Sequence, residues 1–362
     1  MQKPTRAAAP AAAAAAAAPP AMFPVTAYVQ FKAIKVAGLL KKIDEFNAAV
    51  PAGMYANLVN CAINASQEFP ADAWCGVSTT RSLSLWEPAL HVDDGDEIIL
   101  LLPTVCYADA QFDAAGLAEV HVQLEAVTTD GVNVDQDVIG PTLNKMLSWP
   151  IAQRFPAVDA LRLALLRPAL RAGLLDEAGG AELLAACFEM AGIATAGQAS
   201  TCPGPAEMLS LRCLANSFDD KGSMLNNGVP AKIVAGLGGG RIAQLNKGQL
   251  LAATTVLLNL AVAIAKQDAA AIMASADVRN QSLALAASIL DTPVGKADAG
   301  EIAYRALLCV GTLVKCSGTN FTGAASAALG AGVAGLVASI AAQKGSADAR
   351  AAAAAAAIQK LV

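Results

Sequence analysis

RFPAVDALRLALLRPALR, residues 154–171, is the stretch whose reading decides the fold. It reads as one helix with two faces. Phe155 and Pro156 start it, since proline fits the first turn. Val158, Leu161, Leu165 and Leu166 recur at helical spacing. Asp159 and Arg162 fall three apart on the other face. Three later stretches repeat the design: LSLRCLANSF (209–218), LLAATTVLLNLAV (250–262) and AYRALLCVGTLV (303–314). Aligning Arg162, Arg212, Thr255 and Arg305 places the copies 50, 43 and 50 residues apart.

That spacing is close to the roughly 40–47 residues of armadillo and HEAT units. The expected fold is therefore all-α, an armadillo/HEAT-like helical solenoid whose inner face carries Arg and Asn. Composition agrees. Of 362 residues, 55% are hydrophobic but only 4% aromatic, which suits helices packed closely by small side chains. The net charge of −5 argues against a nucleic-acid partner. Eight cysteines without CxxC spacing read as small buried hydrophobes in a reducing compartment.

Residues 1–22 are an Ala/Pro-rich leader, predicted to be disordered. One Arg and no Ser speak against a transit peptide, and poly-Ala against a secretory signal. Phe23-Pro24 and Tyr28 to Phe31 predict a short extended entry. Val36, Leu39, Leu40, Ile43 and Phe46 predict an amphipathic helix, ended by Pro51 and Gly53. A second helix is predicted over Leu58 to Phe69. Residues 75–140 break the helical period and read as an irregular insertion, with a return to helix over 113–128. They are expected to be peripheral, so that deleting 78–138 leaves cooperative unfolding largely intact.

Several local patterns carry little. A Cys–His nucleophile pair can be drawn from Cys75 or Cys106 with His91 or His121, but no motif surrounds them. Gly236 to Gly240 lacks the spacing of a phosphate loop and reads as a helix break. Gly330, Gly332 and Gly335 form a formal GxGxxG without the flanking strand that dinucleotide binding requires. The uncharged stretch from Phe321 to Gln343 is mostly small residues, and reads as a buried terminal helix rather than a membrane span. No catalytic set, metal cluster or cofactor motif emerges.

The informative feature is the polar set on the repeated helices: Arg162, Arg212, Asn216, Asn259 and Arg305. Stacked repeats align equivalent helices on one concave surface. Asn offers both donor and acceptor to an extended main chain, and Arg offers a fork to carboxylates. Spacing alone leaves open whether these are recognition groups or solvated surface.

Phe23 to Asn47, FPVTAYVQFKAIKVAGLLKKIDEFN, resembles the opening of the PUL domain, named for phospholipase A2-activating protein and its relatives. RFPAVDALRLALLRPAL, LSLRCLANSF, TTVLLNLAV and YRALLCVGTLV resemble its later helices in the same order. The resemblance covers residues 23–74 and 141–362, and places a PUL-like domain over 23–362. It implies an armadillo-like array and a non-catalytic adaptor in ubiquitin-dependent degradation. The implied partner is the acidic C-terminal tail of the AAA ATPase valosin-containing protein, seated in a basic groove. Arg162 and Arg305 carry over as groove arginines, followed by Arg212, Asn216 and Asn259. Neither the Arg162 nor the Arg305 guanidinium is expected in the core, so their removal should barely change stability. The propeller, ubiquitin-binding and isopeptidase domains of longer relatives are not visible, so direct ubiquitin binding is not implied. Two alternatives remain: an accessory part of a thiol ubiquitin or SUMO isopeptidase, and a scaffold for another acidic peptide. A cytoplasmic or nuclear location is expected, with no membrane, nucleic acid, metal or cofactor.

Overall fold

The computed structural model describes residues 22–33, 35–50, 89–91, 99–101, 111–129, 132–175, 180–193, 202, 204–292, 299–317, 334–335, 338 and 349–361. The leader, the helix expected over 58–69, Cys75, Cys106 and most of the LGAGVAGL stretch lie outside these residues. Among the described residues the fold is all-α apart from one hairpin, β1 (Ala89–His91) antiparallel to β2 (Ile99–Leu101). Contacts divide the chain into two units. One comprises Tyr28–Leu260, the other Met1–Ala27 with Ala261–Val362.

In the first unit, α1 (Val36–Ala49) packs on α2 (Ala114–Thr128) and α4 (Phe155–Ala164). The helix α3 (Gln136–Leu147) joins α2 and α4 and also touches α5 (Pro168–Leu174). Next come α6 (Gly180–Met190) and α7 (Gly204–Ser217), with α7 lying along α4. Small buried residues let these two helices approach: Ala157, Ala160 and Ala164 on α4, Cys213 and Ala215 on α7. After α8 (Val229–Leu237), glycines 239 and 240 take φ of 58° and 81°, a region costly for other residues. The glycine run is thus the helix break that its spacing suggested.

The long helix α9 (Lys247–Ala265) follows. Asn246 and Gln249 start it with a reciprocal capping pair, each side-chain oxygen accepting from the other's backbone N–H at 2.8 and 3.1 Å. Its apolar length would suffice to cross a membrane, but most of it is buried inside the protein, as in a core helix. Gln249 also donates to Glu207, which pairs with Arg241, so a buried carboxylate keeps both oxygens engaged. In the second unit, α12 (Ala299–Ser317) packs against α10 (Ala269–Ala274), α11 (Ala276–Asp291) and α13 (Ala349–Ile358).

Two expectations need correction. The stretch 154–171 is two helices, not one. Pro168 lacks an N–H and forces the preceding Arg167 to an extended ψ of 116°, so α4 ends and α5 begins anew. Arg167 is put to use there: its guanidinium donates to the carbonyls of Ala126, Val127, Thr129 and Val132, at and beyond the end of α2. The second correction concerns 75–140. Its last part is core, not insertion. Asp113 caps α2, whose Val120, Leu124 and Val127 are buried against α1, α3 and α4. Likewise α3 runs through Pro141, where the sequence had suggested a boundary.

Deleting 78–138 would therefore remove α2 and uncover α1 and α4. The point test is Leu124→Ala, at a residue 1% exposed. It should lower the unfolding free energy by about 2–5 kcal/mol, measured by urea denaturation. A change near zero would restore this region to the periphery.

Candidate peptide-binding site

Four of the five polar residues singled out in the sequence, Arg162, Arg212, Asn216 and Asn259, converge within the first unit on an extended segment of the chain itself. Tyr28 to Ala33 carries no helix or strand. Asn259 on α9 accepts from the Val29 N–H and donates to the Val29 carbonyl, both at 2.8 Å. Two residues on, Asn216 on α7 does the same for Phe31, at 2.9 and 3.2 Å. Arg162 on α4 donates to the Phe31 carbonyl at 2.5 Å and to the Ala33 carbonyl at 3.2 Å, while its Nε holds Asp159. Three core helices, α4, α7 and α9, thus read one extended main chain.

The same amides also serve the helices. An α-helix leaves its last four carbonyls without partners. Asn216 Nδ2 reaches back to the Arg162 carbonyl in the last turn of α4, at 2.9 Å. Asn259 Nδ2 reaches the Ala215 carbonyl in the last turn of α7, at 2.7 Å. Each carboxamide therefore ties its helix to the preceding one and to the segment. Neither has measurable solvent exposure.

Aromatic contacts complete the grip. Tyr28 stacks on Phe218, and its hydroxyl donates to the Asp219 carbonyl at 2.8 Å. Burial first, then the charges of Asp220 and Asp219, pushes the Tyr28 phenol up to about 12, so it stays a donor at neutral pH. Arg212 lies over the Phe31 ring, 5.0 Å from its centroid. Its Nε is buried with no hydrogen-bond partner. Burial, and then the neighbouring Arg162, lower the Arg212 pKa, against the opposing pull of Asp159.

Arg162 corrects the expectation of an uncovered guanidinium: it is 2% exposed, enclosed by Asp159 and the segment. Arg305 lies in the second unit, on α12. It is partly buried and bonded to Glu301 at 2.7 Å, and Glu301 also holds Arg350, whose guanidinium lies over Tyr304. In that unit Val25 donates to the buried Thr312 hydroxyl at 3.1 Å. The Phe23 ring sits where any side chain on Gly311 would be, 2.3 Å from a Cβ there.

The sequence reading singled out Arg162, Asn216 and Asn259, which form the ladder, but missed what they hold, and it grouped with them Arg305, which lies in the second unit. The segment's signal was present in the extended entry predicted at Tyr28 to Phe31, but nothing in the pattern joined that entry to Asn259, 230 residues away. The other candidates hold structural places. His121 pairs with Asp44 at 2.8 Å. Cys187 and Cys213 lie 3.4 Å apart in the core, and burial with their mutual contact pushes the Cys213 thiol well above its ordinary range. A family model described as the PUL domain matches residues 23–356. Among curated proteins, none matches this chain.

Arg162→Ala should cost about 3–5 kcal/mol, the range for breaking a buried ion pair, and Asn259→Ala about 1–3 kcal/mol for the polar groups it strands. Chemical denaturation of each variant measures this. An Arg162 variant as stable as the parent would mean that the guanidinium is not enclosed. The raised Tyr28 pKa makes a second forecast. An acid that holds its proton more tightly when folded lowers stability as pH rises from about 10 toward 12. Tyr28→Phe should flatten that decline in alkaline unfolding curves.

Proposed function

Since the chain belongs to the PUL domain family, a helical protein-interaction family rather than a known catalytic one, we propose that it is a non-catalytic adaptor binding the acidic C-terminal tail of the AAA ATPase valosin-containing protein in ubiquitin-dependent degradation. The observation that carries the reading is the ladder itself. Asn216, Asn259 and Arg162 are built to hold an extended main chain with no regard to its side chains. A partner's tail is such a chain.

Charge favours an acidic partner locally, although the whole chain is negative. Around Phe31, Arg162 and Arg212 face one carboxylate, Asp159. In the second unit, Arg305 on α12 and Arg350 on α13 share Glu301. Around Phe31 the two arginines outnumber the carboxylate. In the first unit, Arg212 is the proposed contact for a tail carboxylate, and Arg162, Asn216 and Asn259 for the tail's main chain; in the second unit, Arg305 is a proposed carboxylate contact. A cytoplasmic or nuclear site of action belongs to the same proposal.

The test is calorimetry with the ATPase's C-terminal peptide. Binding should weaken as salt rises, since exposed charges are screened over about 8 Å at physiological ionic strength. Losing a charge-assisted hydrogen bond costs about 1.5–3 kcal/mol, so Arg305→Ala should weaken binding roughly ten- to a hundredfold. Arg305→Glu should weaken it further by repulsion. Tail binding indifferent to both variants and to salt would remove Arg305 from the site and point to an apolar contact.

A further inference from the structure

We infer that Tyr28–Ala33 is an internal ligand, held in the ladder until a more acidic extended peptide displaces it. The inference rests on the peptide-adaptor reading and names what the partner must remove. Every main-chain bond of Val29 and Phe31 named above runs to a side chain: Asn259, Asn216 or Arg162. None pairs with a neighbouring strand. The donors and acceptors that hold the segment are therefore the ones any extended chain would use, and they would serve a partner equally.

The segment is also a poor match to the charges around it. MFPVTAYVQFKA, residues 22–33, contains no Asp or Glu, and its one cation, Lys32, lies next to the residue that Arg162 and Arg212 hold. The Arg212 Nε is left without a hydrogen bond. A carboxylate on an incoming chain would supply what Phe31 cannot, since a charged acceptor to a guanidinium outranks a ring face. Side-chain exposure fits a removable element: Lys32 and Ala33 are exposed, and Tyr28 to Phe31 only half-buried.

What keeps so weak a ligand in place is tethering. A segment attached to its site acts at an effective concentration of roughly millimolar. An incoming peptide binds only the fraction of molecules whose ladder is open, and its apparent affinity falls by that fraction. Weakening the segment in cis must therefore strengthen binding in trans, although no residue that touches the incoming peptide has changed. A fixed structural strand would predict the reverse.

The probe is a fluorescent peptide of residues 23–33 carrying Gln30→Glu and Lys32→Glu, titrated against the full chain. The variant is Val29→Pro, which deletes the N–H that Asn259 accepts. Peptide affinity should rise tenfold or more in the variant, and Arg212→Ala in that background should cancel most of the gain. A Val29→Pro chain that melts cooperatively and binds the peptide no better overturns the inference. If that variant fails to fold, hydrogen exchange on the unaltered chain decides. The Val29 and Phe31 amides should exchange by local opening, faster than the cores of α7 and α9, and lose protection when the peptide is added. Exchange only through global unfolding overturns the inference. Binding of this peptide without binding of the ATPase tail would reject the named partner and leave the displaceable segment standing.

Discussion

Two buried carboxamides, on Asn216 and Asn259, hold this architecture to its purpose. Each is enclosed without solvent, where an unmet polar group costs about 1–3 kcal/mol. Each meets that demand by bonding a carbonyl at the end of the preceding helix and both main-chain groups of one segment residue. The helix spacing, the entry angle of the segment and the closeness of α4 to α7 must all agree with those bonds. Ala and Cys at the α4–α7 contact are what make the approach close enough.

The same constraint explains the charges. Arg162 is tolerated in the interior because Asp159 and two segment carbonyls leave its fork occupied. Arg212, one helix on, has a ring face and an unpartnered Nε instead. Two arginines of one repeat series thus differ in kind. One is part of the closed structure, and the other is an electrostatic remainder. An acidic partner fits the second.

The helical class and the repeat were legible in the sequence because they rest on period. Apolar residues every three or four positions recur at regular offsets, and α4, α7, α9 and α12 are found where that pattern placed them. The polar ladder was legible too, because Asn and Arg stand out on Ala- and Leu-rich helices. What covers the ladder was not. Residues 28–33 have no period of their own, and their bonding is decided by helices more than a hundred residues away. The misplaced edges have local causes. Pro168 was outvoted by the leucines around it, and the edge drawn after residue 140 falls inside α3. The buried face of α2 was hidden among residues with no clear pattern before them.

The separation between Val29 and Asn259 also has a meaning in time. The segment is synthesised before the helices that receive it, and Asn259 comes 230 residues after Val29. At roughly 5–20 residues per second, that delay is about 10–50 s. The partners arrive in order: Arg162 comes 131 residues after Phe31, Asn216 comes 185 residues after it, Asp219 comes 191 residues after Tyr28, and Asn259 comes last. The first residues made in this unit are thus among the last to find their place, and the ladder is incomplete for part of every round of synthesis. For that interval a nascent chain carries the segment without the full set of side chains that hold it.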